Sequence, residues 1–153
     1  MNTQELKQFL LDSNKAGYAG GEAKKWVKEK DGSTTIPYEQ GEWKSHDNFF
    51  GGEPYGGRLV VFFQNKPVWM MVYYGWVKEG VKPDNVYGIL TKALNKMPES
   101  APFRGPEKLI NGYFVYANSW TGDVERYSGE EKITFKGELV YKANYFGGLV
   151  DQK

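Results

Sequence analysis

Hydrophobic and polar positions change period several times along the chain, and each change marks out an element. In residues 2–14, Leu6, Phe9 and Leu10 recur at helical spacing behind Asn2, which can cap a helix, with Glu5 at the reciprocal capping-box position. This pattern predicts a first helix over 2–14 with Gly17 as its stop. Tyr18-Ala19-Gly20-Gly21 then reads as a turn or the start of an irregular strand. Residues 43–50 alternate as a strand does. Residues 58–64 and 67–74 are apolar on both faces, which predicts two central strands covered on one side by helices. A tight hairpin at Asn65-Lys66 would join them, with Pro67 at the first residue of its strand or at a sheet edge.

The helical period returns at 83–97, where Val86, Ile89, Leu90, Ala93, Leu94 and Met97 make one apolar stripe between Pro83 and Pro98. A proline-rich connection, 100–106, follows and contains Phe103-Arg104-Gly105-Pro106. Segments 112–118, 124–128, 132–136 and 138–146 read as a β-meander punctuated by Gly122-Asp123, Gly129 and Lys136-Gly137, with Gly147-Gly148 ending the fold. The expected architecture is therefore α+β: an antiparallel sheet of about six to seven strands with two helices, one at the N-terminus and one in mid-chain. The length of 153 residues fits one domain over 1–153.

Composition sharpens this picture in three places. Aromatic residues make up 16%, with five Trp, eleven Tyr and nine Phe, which favours strands and supplies walls for an apolar pocket. The net charge of +1 gives no global field for nucleic acid or an anionic membrane. Lys24, Lys25, Lys28 and Lys30 form a small basic cluster diluted by Glu22 and Glu29, which reads as a solvated loop or ribbon, and residues 123–131 lean acidic and read as a wet hairpin. The absence of Cys removes disulfides, thiolate metal sites and cysteine nucleophiles and suits a reducing compartment. The first thirteen residues carry Glu5, Lys7 and Asp12 and do not resemble a signal peptide, and no apolar run approaches the ~20 residues of a membrane span. These features lead us to expect a cytoplasmic protein without a membrane partner.

Familiar catalytic patterns are missing. With His46 as the sole histidine, paired-histidine metal sites are ruled out, and no Gly-x-Ser-x-Gly elbow accompanies it for a triad. The glycine-rich run 51–58 leads into a strand rather than a helix, so it lacks the helix N-terminus that binds phosphate. No cofactor and no metal are expected. Glu39, Glu42, Asp47 and Glu53 cluster around the first strand, and two of them facing one cleft would suit acid–base chemistry such as glycoside hydrolysis. Arg104, in its rigid loop, suits either of two roles: clamping an anionic ligand, or locking the loop onto a buried carboxylate such as Asp47 or Glu39. In the 67–74 strand, Trp69, Met71 and Tyr73 share one face and Met70, Val72 and Tyr74 the other. Trp120, beside Gly122, is expected at a hairpin tip.

Taken together, several short motifs resemble a known family. They are Tyr18-Ala19-Gly20, Tyr38-Glu39-x-Gly41, Asp47 with Phe50-Gly51-Gly52, Pro67-Val68-Trp69-x-Met71, Tyr73-Tyr74-Gly75, Arg104-Gly105-Pro106, Phe135-x-Gly137, Val140-Tyr141 and Phe146-Gly147-Gly148. In this order they resemble a bacterial domain family of unknown function often found C-terminal to an XRE-type helix-turn-helix in transcription regulators. The resemblance implies a regulator-associated domain that senses a ligand, and it brings no catalytic residues. Glu42 and Val72 depart from the family pattern, which favours Asp and Asn there. Residues before Tyr18 supply one helix, whereas a helix-turn-helix needs two or more, so a stand-alone copy is expected.

The leading functional expectation is a non-enzymatic module that binds a small ligand, with Tyr38, Trp43, Asp47, Trp69, Tyr73, Arg104 and Trp120 as its site. Aromatic walls would bury the ligand and Arg104 would hold an anionic group. The first alternative is a carboxylate-based hydrolase acting on a sugar-like substrate. The second is a protein–protein interaction module, either a homo-oligomer or the partner of a regulator protein. Nucleic acid is not an expected partner.

Overall fold

The computed structural model describes residues 1–19 and 26–153. Gly20-Gly21, Lys24 and Lys25 lie outside the described residues. Helix α1 (Thr3–Asn14) begins on Asn2, whose side-chain oxygen accepts the Gln4 N–H at 2.9 Å. Gly17 does not stop it; the chain widens into a π turn, Lys15–Ala19, that runs through Gly17. The strands that follow are β1 (Val27–Lys28), β2 (Thr34–Gln40), β3 (Trp43–Gly51), β4 (Tyr55–Phe63) and β5 (Lys66–Val77). Helix α2 (Pro83–Leu94) leads to β6 (Lys108–Asn111), β7 (Phe114–Asp123), β8 (Arg126–Phe135) and β9 (Glu138–Leu149). Beyond Leu94 the hydrogen bonds shorten to three-residue turns, Lys96 N–H to Ala93 O and Met97 N–H to Leu94 O, so the last expected helical turn is not α-helical.

Among the described residues, nine strands form one antiparallel sheet in the order β1-β2-β3-β4-β5-β9-β8-β7-β6. Two meanders, β1–β5 and β6–β9, join along the β5–β9 ladder, and β5 lies at the centre as its two-faced apolar pattern predicts. The sheet exceeds the expected six to seven strands for identifiable reasons. Strands β1 and β6 are too short to show a period. Strand β2 carries Pro37, but it is paired to β1 only at Thr34 and Thr35, so the missing N–H of Pro37 lies where the strand is an edge. Conversely, 124–128 and 132–136 belong largely to one strand, β8, because Gly129 is mid-ladder opposite Trp120 and Tyr145. A Cβ at Gly129 would sit 2.2 Å from the Tyr145 ring, so this glycine serves a close approach rather than a turn.

Both helices cover the same face of the sheet. Leu6, Phe9 and Leu10 of α1 pack on Val61, Trp69 and Met71, while Val86, Ile89, Leu90 and Leu94 of α2 pack on Tyr116, Ile133 and Tyr141. The Trp69, Met71 and Tyr73 face of β5 is thus the one that meets the helices, and Tyr74 is exposed on the other. Asn14, the last residue of α1, donates its amide to the Leu94 carbonyl at 2.8 Å, tying the end of one helix to the end of the other. Among the described residues no helix is long and apolar enough to cross a membrane.

The β4–β5 hairpin turns on Gln64 and Asn65, one residue earlier than expected, and both have positive φ (51° and 63°). Glycine accepts this two-residue geometry without the steric penalty that glutamine bears. Gln64→Gly should therefore raise the urea midpoint by the equivalent of about 0.5–1 kcal/mol with an unchanged m-value; an unchanged or lower midpoint would contradict this.

Candidate functional site

A cavity of about 160 Å³ lies between the end of α1, the inner face of β2–β5 and the 102–104 segment. Strand alternation builds its floor. Ser45 and Asp47 on β3, Leu59 on β4 and Met71 and Tyr73 on β5 all line it, and Ile36 and Tyr38 of β2 complete the wall. The π turn brings Ala16 and Gly17 to its rim. Most of the lining is apolar; the polar exceptions are Ser13, Asn14, Ser45, Asp47 and Arg104, with the hydroxyls of Tyr38 and Tyr73.

Asp47 is half-buried between its ladder neighbours Ile36 and Leu59. Its Oδ1 accepts the Tyr73 hydroxyl at 2.5 Å. Burial pushes its carboxyl above the usual 3.8, opposed by the Tyr73 hydrogen bond and the Arg104 charge. Burial also raises the Tyr38 hydroxyl, helped by Asp12.

The raised carboxyl has a consequence for stability. Between the unfolded value and the higher folded one, the folded protein holds a proton that the unfolded chain has released. Stability is therefore lost as pH rises through the folded pKa. Asp47→Asn should melt above the wild type at pH 7, with the gap closing as pH approaches 3.8. Melting curves across that range decide it; a variant less stable at pH 7, or a gap independent of pH, would be the contrary result.

Arg104 borders the cavity, with its guanidinium carbon 6.0 Å from the Tyr73 ring centre. Its Nε donates to Glu131 Oε1 at 2.7 Å, so the loop is locked onto a carboxylate, though neither of the two expected. Glu131 has no exposed surface, so the segment 123–131, expected as a wet hairpin, forms the β7–β8 hairpin but buries this carboxylate. Its other oxygen accepts the Tyr116 hydroxyl at 2.5 Å. That hydroxyl accepts the Gly105 N–H at 3.1 Å, and Asn118 donates to the Gly105 carbonyl at 2.9 Å while accepting the Tyr145 hydroxyl at 2.7 Å. The 101–105 segment is buried, and such a loop persists only if its polar groups are satisfied. A Cβ on Gly105 would meet the Tyr116 hydroxyl at 2.7 Å, which accounts for the glycine after the arginine.

Of the expected site residues, the structure brings Tyr38, Asp47, Tyr73 and Arg104 together around the cavity. Trp43 stands outside it, stacked on Phe9 at 5.5 Å and tilted on Phe63 at 4.7 Å. Trp69 is core, with no exposed surface and its indole N–H on the Val124 carbonyl at 2.9 Å. Trp120 is not at a hairpin tip: it sits within β7 opposite Gly129, half-buried against the α1 core. Glu131 was hidden in sequence by its acidic neighbours, yet Tyr127, Gly129, Glu131 and Ile133 alternate on one face, and that period was the available signal.

The other carboxylates point elsewhere. Glu39 is exposed and pairs with Lys44 at 3.6 Å, Glu42 accepts from Gln64 at 2.8 Å, and Glu53 accepts the Val77 N–H at 2.6 Å and the Tyr87 hydroxyl. Among the described residues that line the cavity, Asp47 is the sole carboxylate. His46 is exposed, against Phe62. No group of three or more metal-ligating side chains occurs among the described residues.

Fold and cavity define an α+β domain in which one antiparallel sheet, helix-covered on a single face, closes a small, mostly apolar chamber around one carboxylate. The chain belongs to the DUF5680 family, a domain of unknown function, whose model matches residues 47–150. That match opens at Asp47 and takes in Tyr73, Arg104 and Glu131, while α1 and β2 precede it. No curated protein and no solved structure matches the chain.

Proposed function

We propose that the chain is a non-enzymatic module that binds a small ligand in the chamber lined by Tyr38, Asp47, Tyr73 and Arg104, and that it works in the bacterial cytoplasm as the sensing part of a regulator. The observation that carries this reading is a small, mostly apolar cavity with Asp47, hydrogen-bonded to Tyr73, in its wall and Arg104 at its border. Specific small-molecule sites have that composition. The hydrolase reading has less support, because a glycosidase of the usual kind needs two carboxyl groups across one cleft, and the lining described supplies one.

Filling the chamber tests the proposal. A fragment library screened by protein-observed NMR should give hits that shift Leu59, Met71 and Tyr73 together, and Leu59→Phe should abolish them with the fold intact. Hits that survive Leu59→Phe, or none at millimolar fragment, would refute it. A protein-contact module is the second reading, favoured by the exposure of Phe50, Tyr74 and Phe146, each more than half exposed. Its simplest form is a homodimer, and a monomer in sedimentation at high concentration would remove that form.

A further inference from the structure

The chamber's charge count selects among ligands. Among the described residues, Asp47 and Arg104 are the charged groups that line it, and Glu131 lies behind Arg104, buried and paired with it. The guanidinium is bonded through Nε to Glu131, whose other oxygen takes the Tyr116 hydroxyl, so its charge is already matched by a fully buried carboxylate. Asp47 differs. One of its oxygens accepts from Tyr73, and the other, Oδ2, receives no hydrogen bond among the described residues. A carboxylate in such a setting calls for a donor, and a charged donor compensates the burial that disfavours its ionised form.

We propose that this chamber takes a compact monovalent organic amine, its ammonium on Asp47 Oδ2 and its apolar body against Leu59 and Met71. The inference rests on the ligand-binding reading above and reverses the expectation that Arg104 holds an anion. Size follows from volume: 160 Å³ is close to the engineered cavity of ~150 Å³ that accepts benzene, so a body of about six to eight non-hydrogen atoms fits. The neighbouring ring of Tyr38 adds to the preference, since aromatic faces attract cations. An anion meets the opposite situation: it would approach Asp47, with the nearest cation already paired.

The test compares benzylamine, benzyl alcohol and benzoate by protein-observed NMR titration at pH 7.5, on the wild type, Asp47→Asn and Leu59→Phe. Asp47→Asn keeps an oxygen for the Tyr73 hydroxyl, and its melting curve verifies folding. The expected result is benzylamine bound at least tenfold more tightly than the alcohol, benzoate weakest, and the amine's advantage lost in Asp47→Asn. Equal or tighter binding of the alcohol or benzoate, displaced by Leu59→Phe, would overturn the amine inference while leaving the chamber as a ligand site. No binding of any of the three, with fragment hits also absent, would overturn both. An amine advantage that persists in Asp47→Asn would place the ammonium elsewhere and overturn the assignment to Asp47.

Discussion

Arg104→Ala should destabilise the fold by about 3–5 kcal/mol, the range measured when one partner of a buried ion pair is removed. Glu131 has no exposed surface, and after the substitution its carboxylate keeps the Tyr116 hydroxyl but loses its cation. For a domain of this size each kcal/mol shifts the melting temperature by about 2–4 °C, so a fall of roughly 10 °C is expected. The loss comes from stranding a charge, not from removing a strongly favourable bond. Arg104→Met combined with Glu131→Leu and Tyr116→Phe should therefore recover part of it, because the charges and the hydroxyl that served them leave together and the remaining cost is the Gly105 N–H that loses the Tyr116 hydroxyl. Denaturant melts of the single and triple variants decide the matter. A single variant within 1 kcal/mol of wild type would mean that water reaches Glu131, and a triple variant no better than the single would mean that the network itself holds the loop.

Gly147→Ala should cost about 3 kcal/mol or more, at the upper end for overpacking a core. Gly147 pairs with Met71 on one side of β9 and with Tyr127 on the other. A Cβ there would lie 1.9 Å from the Met70 carbonyl oxygen and 2.7 Å from the Tyr127 hydroxyl. The carbonyl is backbone within the central ladder, so relief requires β5 and β9 to part where the two meanders join. Gly88→Ala is the matched control: Gly88 is exposed within α2, nothing lies within 4 Å of its Cβ, and alanine there should stabilise by about 0.5–1 kcal/mol. Opposite signs from one chemical change would tie the effect to the close approach. Two similar destabilisations would show that glycine at 147 answers to something other than Met70.

Local pattern alone was enough for much of the scaffold. Leu6, Phe9 and Leu10, and later Val86, Ile89, Leu90, Ala93 and Leu94, repeat within windows of one or two turns, and both helices appear where those stripes are. The two-faced apolar runs of β4 and β5 placed these strands inside the sheet for the same reason: a strand with neighbours on both sides and a covered face leaves few positions for water. Glycine was harder to read. Gly137 does mark a turn, with φ of 80°, whereas Gly122, Gly129 and Gly147 lie within strands. Both uses leave the same letter in the sequence, because what distinguishes them is the atom that approaches from another strand.

The site shows the same division. Period-two alternation put Tyr73 on one face with Trp69 and Met71, and the Phe-Arg-Gly-Pro run marked Arg104 as held in a defined loop. That Arg104 pairs with Glu131, 27 residues away, and that Tyr73 reaches Asp47, 26 residues away, followed only from the register of the ladders and the course of the buried loop. The chamber likewise exists because α1, β2, β3, β5 and the 102–104 segment converge. Sequence by itself determined the helices, the central strands and the absence of the common catalytic motifs, since these depend on neighbours within a few positions. Tertiary structure decided which charge met which, which tryptophans became core and which carboxylate faced a cavity, since each depends on groups brought together from strands far apart in the chain.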